Sequence, residues 1–234
     1  MSDILENAIN ICEIFENPEI LKNFTSDELA ELSHEKKVMS FKKGELIIEE
    51  NATPKGIYYL EKGTAKLFKL GFNGKEQILR FTKKGDIIGY RSILSNQPFR
   101  ASATAMEDTE VCFIPEKFFL KILEFHPKFA FDVLRRIAED LGESAETITF
   151  LAQKTVRERL AEVLILLEKK LGTDKEGFIN IALTREEMAN LIGTATESAI
   201  RLISEFRTDG LIEADGRRIK ILERQKLIKL GHVN

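Results

Sequence analysis

The sequence predicts an α+β chain in two domains: a β-rich N-terminal part, a long central helix, and a C-terminal helix-turn-helix followed by a hairpin. Three observations predict it. From Val38 to Pro115, short β-rich runs alternate with glycine-bearing turns. From about Lys128 to Val156 there is no proline, and apolar or small residues recur at alternating spacings of four and three. From Leu183 to Glu213, LTREEMANLIGTATESAIRLISEFRTDGLIE reads as two short amphipathic helices around a glycine.

Composition sets the class. A chain of 234 residues is long enough for two modest domains, each with its own core. Apolar residues at 43% and charged residues at 31% are ordinary for a globular protein. No apolar run approaches the roughly 20 residues of a membrane span. The opening MSDILENAIN has neither a basic n-region nor an apolar h-region, so no membrane association and a cytoplasmic location are expected. Two cysteines, Cys12 and Cys112, make no disulfide framework at this length. The net charge of −3 is unevenly spread. Residues 153–234 carry 15 Lys and Arg against 13 Asp and Glu, whereas residues 1–152 carry 20 against 25. The basic excess is small and belongs to the helix-turn-helix part, which implies a localised basic face.

In chain order, Ile4, Leu5, Ile9, Ile11, Ile14 and Phe15 give an apolar-spaced opening segment. After Pro18, Thr25 or Ser26 caps a short helix through Leu32. The β-rich runs are Val38–Phe41, Leu46–Ile48, Ile57–Leu60, Ala65–Leu70, Gln77–Phe81, Ile87–Ile88, Ala101–Ala105 and Glu110–Ile114. Their number and glycine punctuation imply a sandwich- or barrel-like β domain. Phe72-Asn73-Gly74-Lys75 is a hairpin signal of the Asn-Gly type.

Helix returns at Glu116–Phe125, and His126-Pro127 interrupts it, with proline suited to the first turn of the next helix. In that next helix Ala130, Leu134, Ile137, Leu141, Ser144, Ile148 and Leu151 form an a/d seam sustained over three heptads. Phe129, Phe131 and Val133 broaden the apolar face near its start, so the helix is expected to pack on its own domain and also on a second copy. A parallel two-fold homodimer follows, with Leu134, Ile137, Leu141, Ile148 and Leu151 at the interface. The expected boundaries are 1–127 for the β domain, 128–153 for the dimerisation helix and 154–234 for the C-terminal domain.

The C-terminal domain opens with a helix over Val156–Leu171, turning Leu160, Val163, Leu164 and Leu167 inward and ending at Gly172. Phe178–Leu183 alternates as a strand. Thr184 then stands at an N-cap with Glu187 three residues on, the spacing of a capping box. Met188, Leu191 and Ile192 give one apolar face, and Gly193 supplies the left-handed residue that reverses the chain. The second helix turns Ala199, Leu202, Ile203 and Phe206 inward and stops at Asp209-Gly210. Such a second helix can lie in a DNA major groove. Its first turns offer Thr196, Glu197, Ser198, Ile200 and Arg201, with Thr184 and Thr194 flanking them. Glu197 and Arg201 share a face; arginine fits guanine O6 and N7, and a carboxylate accepts from cytosine N4. An ordinary surface ion pair has the same spacing, but its place after the bend favours base readout. Leu211–Glu213 and Arg218–Leu222 form a hairpin about Asp215-Gly216, with Arg217, Arg218 and Lys220 as phosphate contacts. Glu223–Leu230 reads as a short extra helix of unassigned role.

These residues resemble the winged-helix end of bacterial regulators of the CRP/FNR family, typified by the cyclic-AMP receptor protein and the fumarate-nitrate reduction regulator. That family's recognition helix carries Glu-x-x-x-Arg, matched by Glu197 and Arg201. Thr196 stands where the family has Arg or Val, so the resemblance implies reading of a central G:C step and leaves the outer bases open. The runs FKKGELIIEENATPKGIYYLEKGTAKLF and NGKEQILRFTKKGDIIG are similar to the family's cyclic-nucleotide-binding-like β-roll. The resemblance thus extends from about Phe41 to the C-terminus, and the family likeness implies the same dimer helix.

The effector pocket departs from the cyclic-AMP binders. There a Gly-Glu-x-Gly turn and a later Arg-Ser pair hold ribose and phosphate. Here Gly89 and Arg100 match, Tyr90 replaces the Glu, and Ala101 replaces the Ser, with Ser102 one place on. Of the Thr-Ser pair that the dimer helix offers to adenine, Ser144-Ala145 keeps one hydroxyl. Cyclic AMP is therefore not the expected effector. A helix N-terminus at Gly89, Tyr90, Arg91 and Ser92, flanked by Arg91 and Arg100, can still hold a small anion. An iron–sulfur cluster needs about four thiolates or equivalents, so none is expected from two distant cysteines. Histidines at 34, 126 and 232 have no metal-ligand spacing, and no metal site is expected.

No Ser-His-Asp order, P-loop or dinucleotide fingerprint occurs, so no catalytic residue is expected. The resulting expectation is a homodimeric, sequence-specific transcription regulator on palindromic double-stranded DNA, controlled by a small effector, with RNA polymerase as partner if it activates. Two alternatives stand beside it: a constitutive DNA binder with a vestigial pocket, and a nucleotide-binding regulatory module whose helix-turn-helix meets protein instead of DNA.

Overall fold

The structure, a computed structural model, describes residues 24–71 and 74–233. The apolar opening segment with Cys12 lies outside the described residues, as do Phe72 and Asn73 of the expected hairpin. The chain divides into two compact units: residues through Lys69 together with Leu79–Asp140, and Leu70–Ile78 together with Leu141 onward.

In the first unit, helix α1 (Ser26–Glu35) runs beyond the expected Leu32. Thr25 caps it, its hydroxyl accepting from Glu28 N at 3.3 Å while the Glu28 carboxylate accepts from Thr25 N at 2.7 Å. Eight strands follow: β1 (Lys37–Phe41), β2 (Leu46–Ile48), β3 (Gly56–Lys62), β4 (Thr64–Leu70), β5 (Glu76–Lys83), β6 (Ile87–Ile88), β7 (Ser102–Ala105) and β8 (Thr109–Pro115). All eight runs read from the sequence are strands, with ends differing by at most two residues. They form two four-stranded sheets, in the orders β1-β8-β3-β6 and β2-β7-β4-β5. Pairing is antiparallel, with Tyr59 opposite Cys112 and Ala65 opposite Ala105.

Period-two alternation explains how one sheet serves two cores. Ile57 and Tyr59 of β3, with Cys112 and Ile114 of β8, turn towards a helical layer. Leu60, Val111 and Ile88 turn the other way, joining Leu67, Ala103 and Ala105 of the second sheet. The helical layer contains α2 (Tyr90–Ser95), α3 (Glu116–Phe125) and the start of α4 (Pro127–Gln153). Phe118, Phe119 and Ile122 of α3 are almost fully buried, and Phe119 meets Phe129 of α4 edge-on at 6.1 Å.

Helix α4 carries two stripes. Phe129 and Val133 are buried, Ile137 packs partly against the same core, and Asp140 is buried one turn on. Leu134, Leu141, Ile148 and Leu151 are 61%, 72%, 69% and 37% exposed. Ile137, expected in the dimer seam, thus faces its own domain. The physical reason is spacing: Ile137 stands four residues after buried Val133 and three before buried Asp140, so it shares their face of the helix. The helix also ends at Gln153, short of Val156, because Thr155 starts the next one.

The second unit contains α5 (Val156–Leu171), capped by a reciprocal Thr155–Glu158 box, α6 (Arg185–Ile192), α7 (Thr196–Thr208), the hairpin β9 (Ile212–Asp215) and β10 (Arg218–Ile221), and α8 (Arg224–Gly231). The run Phe178–Leu183 is not a regular strand. It makes isolated bridges through Ile179 to Thr173 and Phe178 to Lys220, and its amides otherwise bond to loop carbonyls such as Gly172 O. Adjacent Phe178 and Ile179 are both buried, so its apolar alternation is not an alternation of faces. The tail helix α8 packs on α5: Leu227 is fully buried, and Lys154 Nζ bridges Gly231 O at 2.6 Å and Glu162 at 2.9 Å. No described helix is long and apolar enough to cross a membrane.

Candidate functional site

The helix-turn-helix is built as its spacing requires. Thr184 Oγ1 accepts from Glu187 N at 3.0 Å, and the Glu187 carboxylate accepts from Thr184 N at 2.8 Å. Gly193 adopts φ 64°, ψ 54°, the left-handed conformation that only glycine enters without strain. A Cβ there would also lie 2.9 Å from Leu151 Cδ2. Ala189 and Ala199 are fully buried, which lets the two helices approach closely, and Phe206 closes the core beneath them.

With that inner face satisfied, α7 presents its other face to solvent. Glu197 is exposed, Ile200 is 48% exposed, and the Arg201 side chain is 75% exposed. Arg201 lies 3.8 Å from Glu205, whose other oxygen already accepts from Arg157 at 3.0 Å. The loose intrahelical pair leaves the Arg201 guanidinium able to reach outwards. Thr184, Thr194, Thr196 and Ser198 are half-buried around it. Arg217 is exposed at the hairpin turn.

Arg218 is a different case. Its guanidinium donates to Asp174 and Glu176, both at 2.7 Å, and lies 4.1 Å from the Phe178 ring centroid. It is engaged in tying the hairpin to the preceding loop and is not free for a phosphate. The sequence reading missed Arg185, which donates to Gly216 O at 2.9 Å and so fixes the hairpin turn against the start of α6.

In the first unit a cavity of about 450 Å³ opens beside α2. Gly89, Tyr90, Arg91, Ser92, Arg100 and Ala101, all expected at an effector site, line it. Gly89 is held at φ 94°, and a Cβ there would come 3.0 Å from the Phe99 ring. The helix N-terminus expected to hold an anion is that of α2. Helix α2 has six residues, and the Ser92 and Ile93 amides turn back to Gly89 O at 3.1 and 3.3 Å. The Ser92 hydroxyl bonds to Pro98 O at 3.3 Å, and Ser102 Oγ accepts from Glu50 N at 3.0 Å. Arg100 is exposed and donates to the Gln97 side chain. Ser144 is exposed and is not among the lining residues.

What the sequence reading missed is a charged cluster at the cavity's edge. Asp140, its side chain 4% exposed, accepts from Tyr90 Oη at 2.6 Å and Arg80 at 2.7 Å. Arg136 Nε lies 3.2 Å and Arg91 Nε 3.8 Å from the same carboxylate. Burial, then the hydrogen bond to this carboxylate, pushes the Tyr90 phenol up to about 12. Arg80 also lines the cavity, and its Nε is buried with no hydrogen-bond partner. No signal short of the fold joins Arg80, Tyr90 and Asp140, which are far apart in the chain.

Among the described residues, no group of three or more His, Cys, Asp or Glu is placed to hold a metal ion. The described cysteine, Cys112, is fully buried in β8.

Comparison with known proteins agrees with this architecture. Residues 38–126 match the cyclic nucleotide-binding domain family, and residues 158–230 match the Crp-like helix-turn-helix domain family. Electron transport regulator A of Shewanella oneidensis is 30% identical over 205 residues, 86% of this chain and 80% of that protein. The fumarate and nitrate reduction regulatory protein of Vibrio cholerae is 27% identical over 221 residues, 93% of this chain and 86% of that protein. The structure of FixK2 from Bradyrhizobium japonicum superposes with a TM-score of 0.75 at 25% identity, over 83% of this chain and 96% of that one. A Crp/Fnr-family regulator from Eubacterium rectale shares the fold, with a TM-score of 0.73 at 21% identity over 92% of this chain and 98% of that one. Two domain matches in family order, a relative at this identity and coverage, and the geometry above together place the chain in the CRP/FNR family of transcription regulators, which bind DNA through the helix-turn-helix and are not enzymes.

Proposed function

We propose that the chain acts as a cytoplasmic homodimer that reads a palindromic DNA site with α7 of each copy, and that a small molecule in the β-roll cavity sets its DNA affinity. The observation that carries the DNA reading is the outward face of α7, where Glu197 and Arg201 stand exposed above a fully packed inner face. Arg201 is assigned to a guanine edge and Glu197 to a cytosine amine, while Arg217 meets phosphate. Thr184, Thr194, Thr196, Ser198 and Ile200 frame the contact.

The exposed stripe Leu134, Leu141, Ile148 and Leu151 supports pairing of two α4 helices. Pairing places two reading heads on one duplex, which adds their affinities and imposes a palindrome. Effector control works by population shift: a ligand that favours the dimer with correctly spaced heads raises DNA affinity by its differential binding to that state. A relative named as a transcriptional activator supports activation, with RNA polymerase as the protein partner.

The test is selection of bound DNA from a random pool, with wild type and Arg201→Ala side by side, with and without cyclic AMP. The expected result is a palindromic consensus from wild type in lanes with and without the nucleotide. Loss of the bidentate arginine is expected to cost about 1–3 kcal/mol and to relax one position of each half-site. An Arg201→Ala variant that selects the wild-type consensus at wild-type affinity removes Arg201 from base readout. No enriched sequence at low salt, in any lane, means either that a missing effector holds the heads apart or that the helix-turn-helix meets a protein partner.

A further inference from the structure

A carboxylate of the protein itself already occupies the cavity's most sheltered arginine. Asp140 holds Arg80 at 2.7 Å and Tyr90 at 2.6 Å, and Arg80 and Tyr90 are both part of the cavity wall. Asp140 comes from α4, whereas Arg80 comes from β5 and Tyr90 from α2. Most of the remaining wall is apolar, including Ile48, Leu67, Ile88, Leu94 and Phe99. Arg80, Arg91 and Arg100 line the cavity, and no carboxylate does. Asp140 is shared among Arg80, Arg91 and Arg136, so positive charge remains in excess around an apolar space. Asp140 takes Arg80 through Nη1 with a single oxygen, and the buried Nε of the same guanidinium has no hydrogen-bond partner. A bidentate acid on the Nη1–Nη2 edge would make two bonds where Asp140 makes one.

We propose that the cavity takes an amphipathic acid, an apolar body with one anionic head, and that Asp140 is a tethered competitor which the head displaces from Arg80. This rests on the reading of the cavity as the effector site. The apolar body fills the wall between Ile48, Leu67 and Phe99, and the head takes both donors of the Arg80 fork. Asp140 then keeps Arg136 on its own helix and loses its bond to β5. The exchange therefore releases a charged tie between α4 and the sheet, and ligand chemistry is converted into a change at the central helix. Tyr90, where cyclic-AMP binders have a carboxylate, is a positioning residue that orients Asp140 before exchange.

The test uses anilinonaphthalene sulfonate, a fluorescent aromatic acid, and phenylnaphthylamine, its counterpart without the sulfonate. The absence of tryptophan keeps the protein's own emission low. Both probes are titrated into full-length wild type, Asp140→Asn, Arg80→Gln and the cavity-filling Ala101→Leu, with a thermal melt of each variant to show that it folds. Removing a neighbouring charge competitor changes binding at such a site by roughly tenfold or more. The expected result is one sulfonate bound per protomer, about tenfold tighter in Asp140→Asn, about tenfold weaker in Arg80→Gln and lost in Ala101→Leu. The uncharged probe is expected to respond to Ala101→Leu alone. Unchanged or weaker sulfonate binding in folded Asp140→Asn overturns the competition. Should Asp140→Asn not fold, Arg80→Gln decides: equal affinity of wild type and this variant for the sulfonate overturns the proposal. Loss of binding in Ala101→Leu without an Asp140 effect leaves the effector cavity standing and removes only the competition. Wild-type binding by Ala101→Leu removes the cavity reading itself, and the proposal with it.

Discussion

Tyr90 illustrates how one side chain serves stability and site chemistry together. Its ring belongs to the helical-layer core, while its hydroxyl donates to Asp140 at the cavity's edge. The phenol is raised from 10.0 to about 12, first by burial and then by the carboxylate beside it. A proton held more tightly in the folded state stabilises fully below the ordinary value near 10, and that contribution is lost as pH rises through about 12. Tyr90→Phe is expected to cost about 1.5–3 kcal/mol at neutral pH, the worth of a hydrogen bond to a charged acceptor. It is also expected to remove a step near pH 12 from the phenolate absorbance titration. Loss of a step near the ordinary value of 10 in place of one near 12, with unchanged denaturant stability, would separate Tyr90 from Asp140. Position 90 stood out in the sequence as a departure from the family pattern. Its partner did not, because Asp140 reads locally as one more acidic residue on a helix, and only the chain's return across β5 and α2 makes it the centre of the charge cluster.

At the scale of elements, local signals predicted best where one short segment contains both halves of the interaction. The Thr184–Glu187 box, the left-handed Gly193 and the eight β runs are of this kind. Thr184→Ala is expected to destabilise the C-terminal domain by about 1 kcal/mol, measured by urea denaturation, because the Glu187 amide loses the hydroxyl that caps it. No change would mean that water caps that amide equally well. Local signals failed where partners come from elsewhere. Phe178–Leu183 has the composition of a strand, yet its amides bond to Gly172 O and Ile219 O, so no ladder extends. Helix α4 showed its heptad plainly, but assigning Ile137 to the cavity and Leu141 to solvent required the sheet against which the helix lies. Arg218 reads as a basic wing residue, and the loop carrying Asp174 and Glu176 turns it into a structural tie.

At the scale of the whole molecule, the exposed α4 stripe and the exposed α7 face belong to one prediction. Leu141 is 72% exposed in the protomer, so Leu141→Glu is expected to leave the protomer itself folded, as its circular dichroism spectrum would show. A carboxylate in an apolar seam opposes pairing, so sedimentation should then report a monomer, and affinity for a palindromic site should fall with it. A Leu141→Glu protein that remains dimeric places the interface elsewhere. The net charge of −3 is compatible with DNA binding because charge is distributed by domain and face, not spread evenly. The sequence by itself determined the order of domains, the strands, the capped helix-turn-helix and the Glu197–Arg201 spacing. Each of these rests on residues within a turn or two of one another, where periodicity, caps and glycine conformations act. Only the tertiary structure decided that Arg80, Tyr90 and Asp140 share one charge cluster, that Arg218 is committed to acids, and that α4 has an inner and an outer stripe. Those outcomes depend on which distant groups burial brings within hydrogen-bond reach, and a linear pattern does not carry that distance.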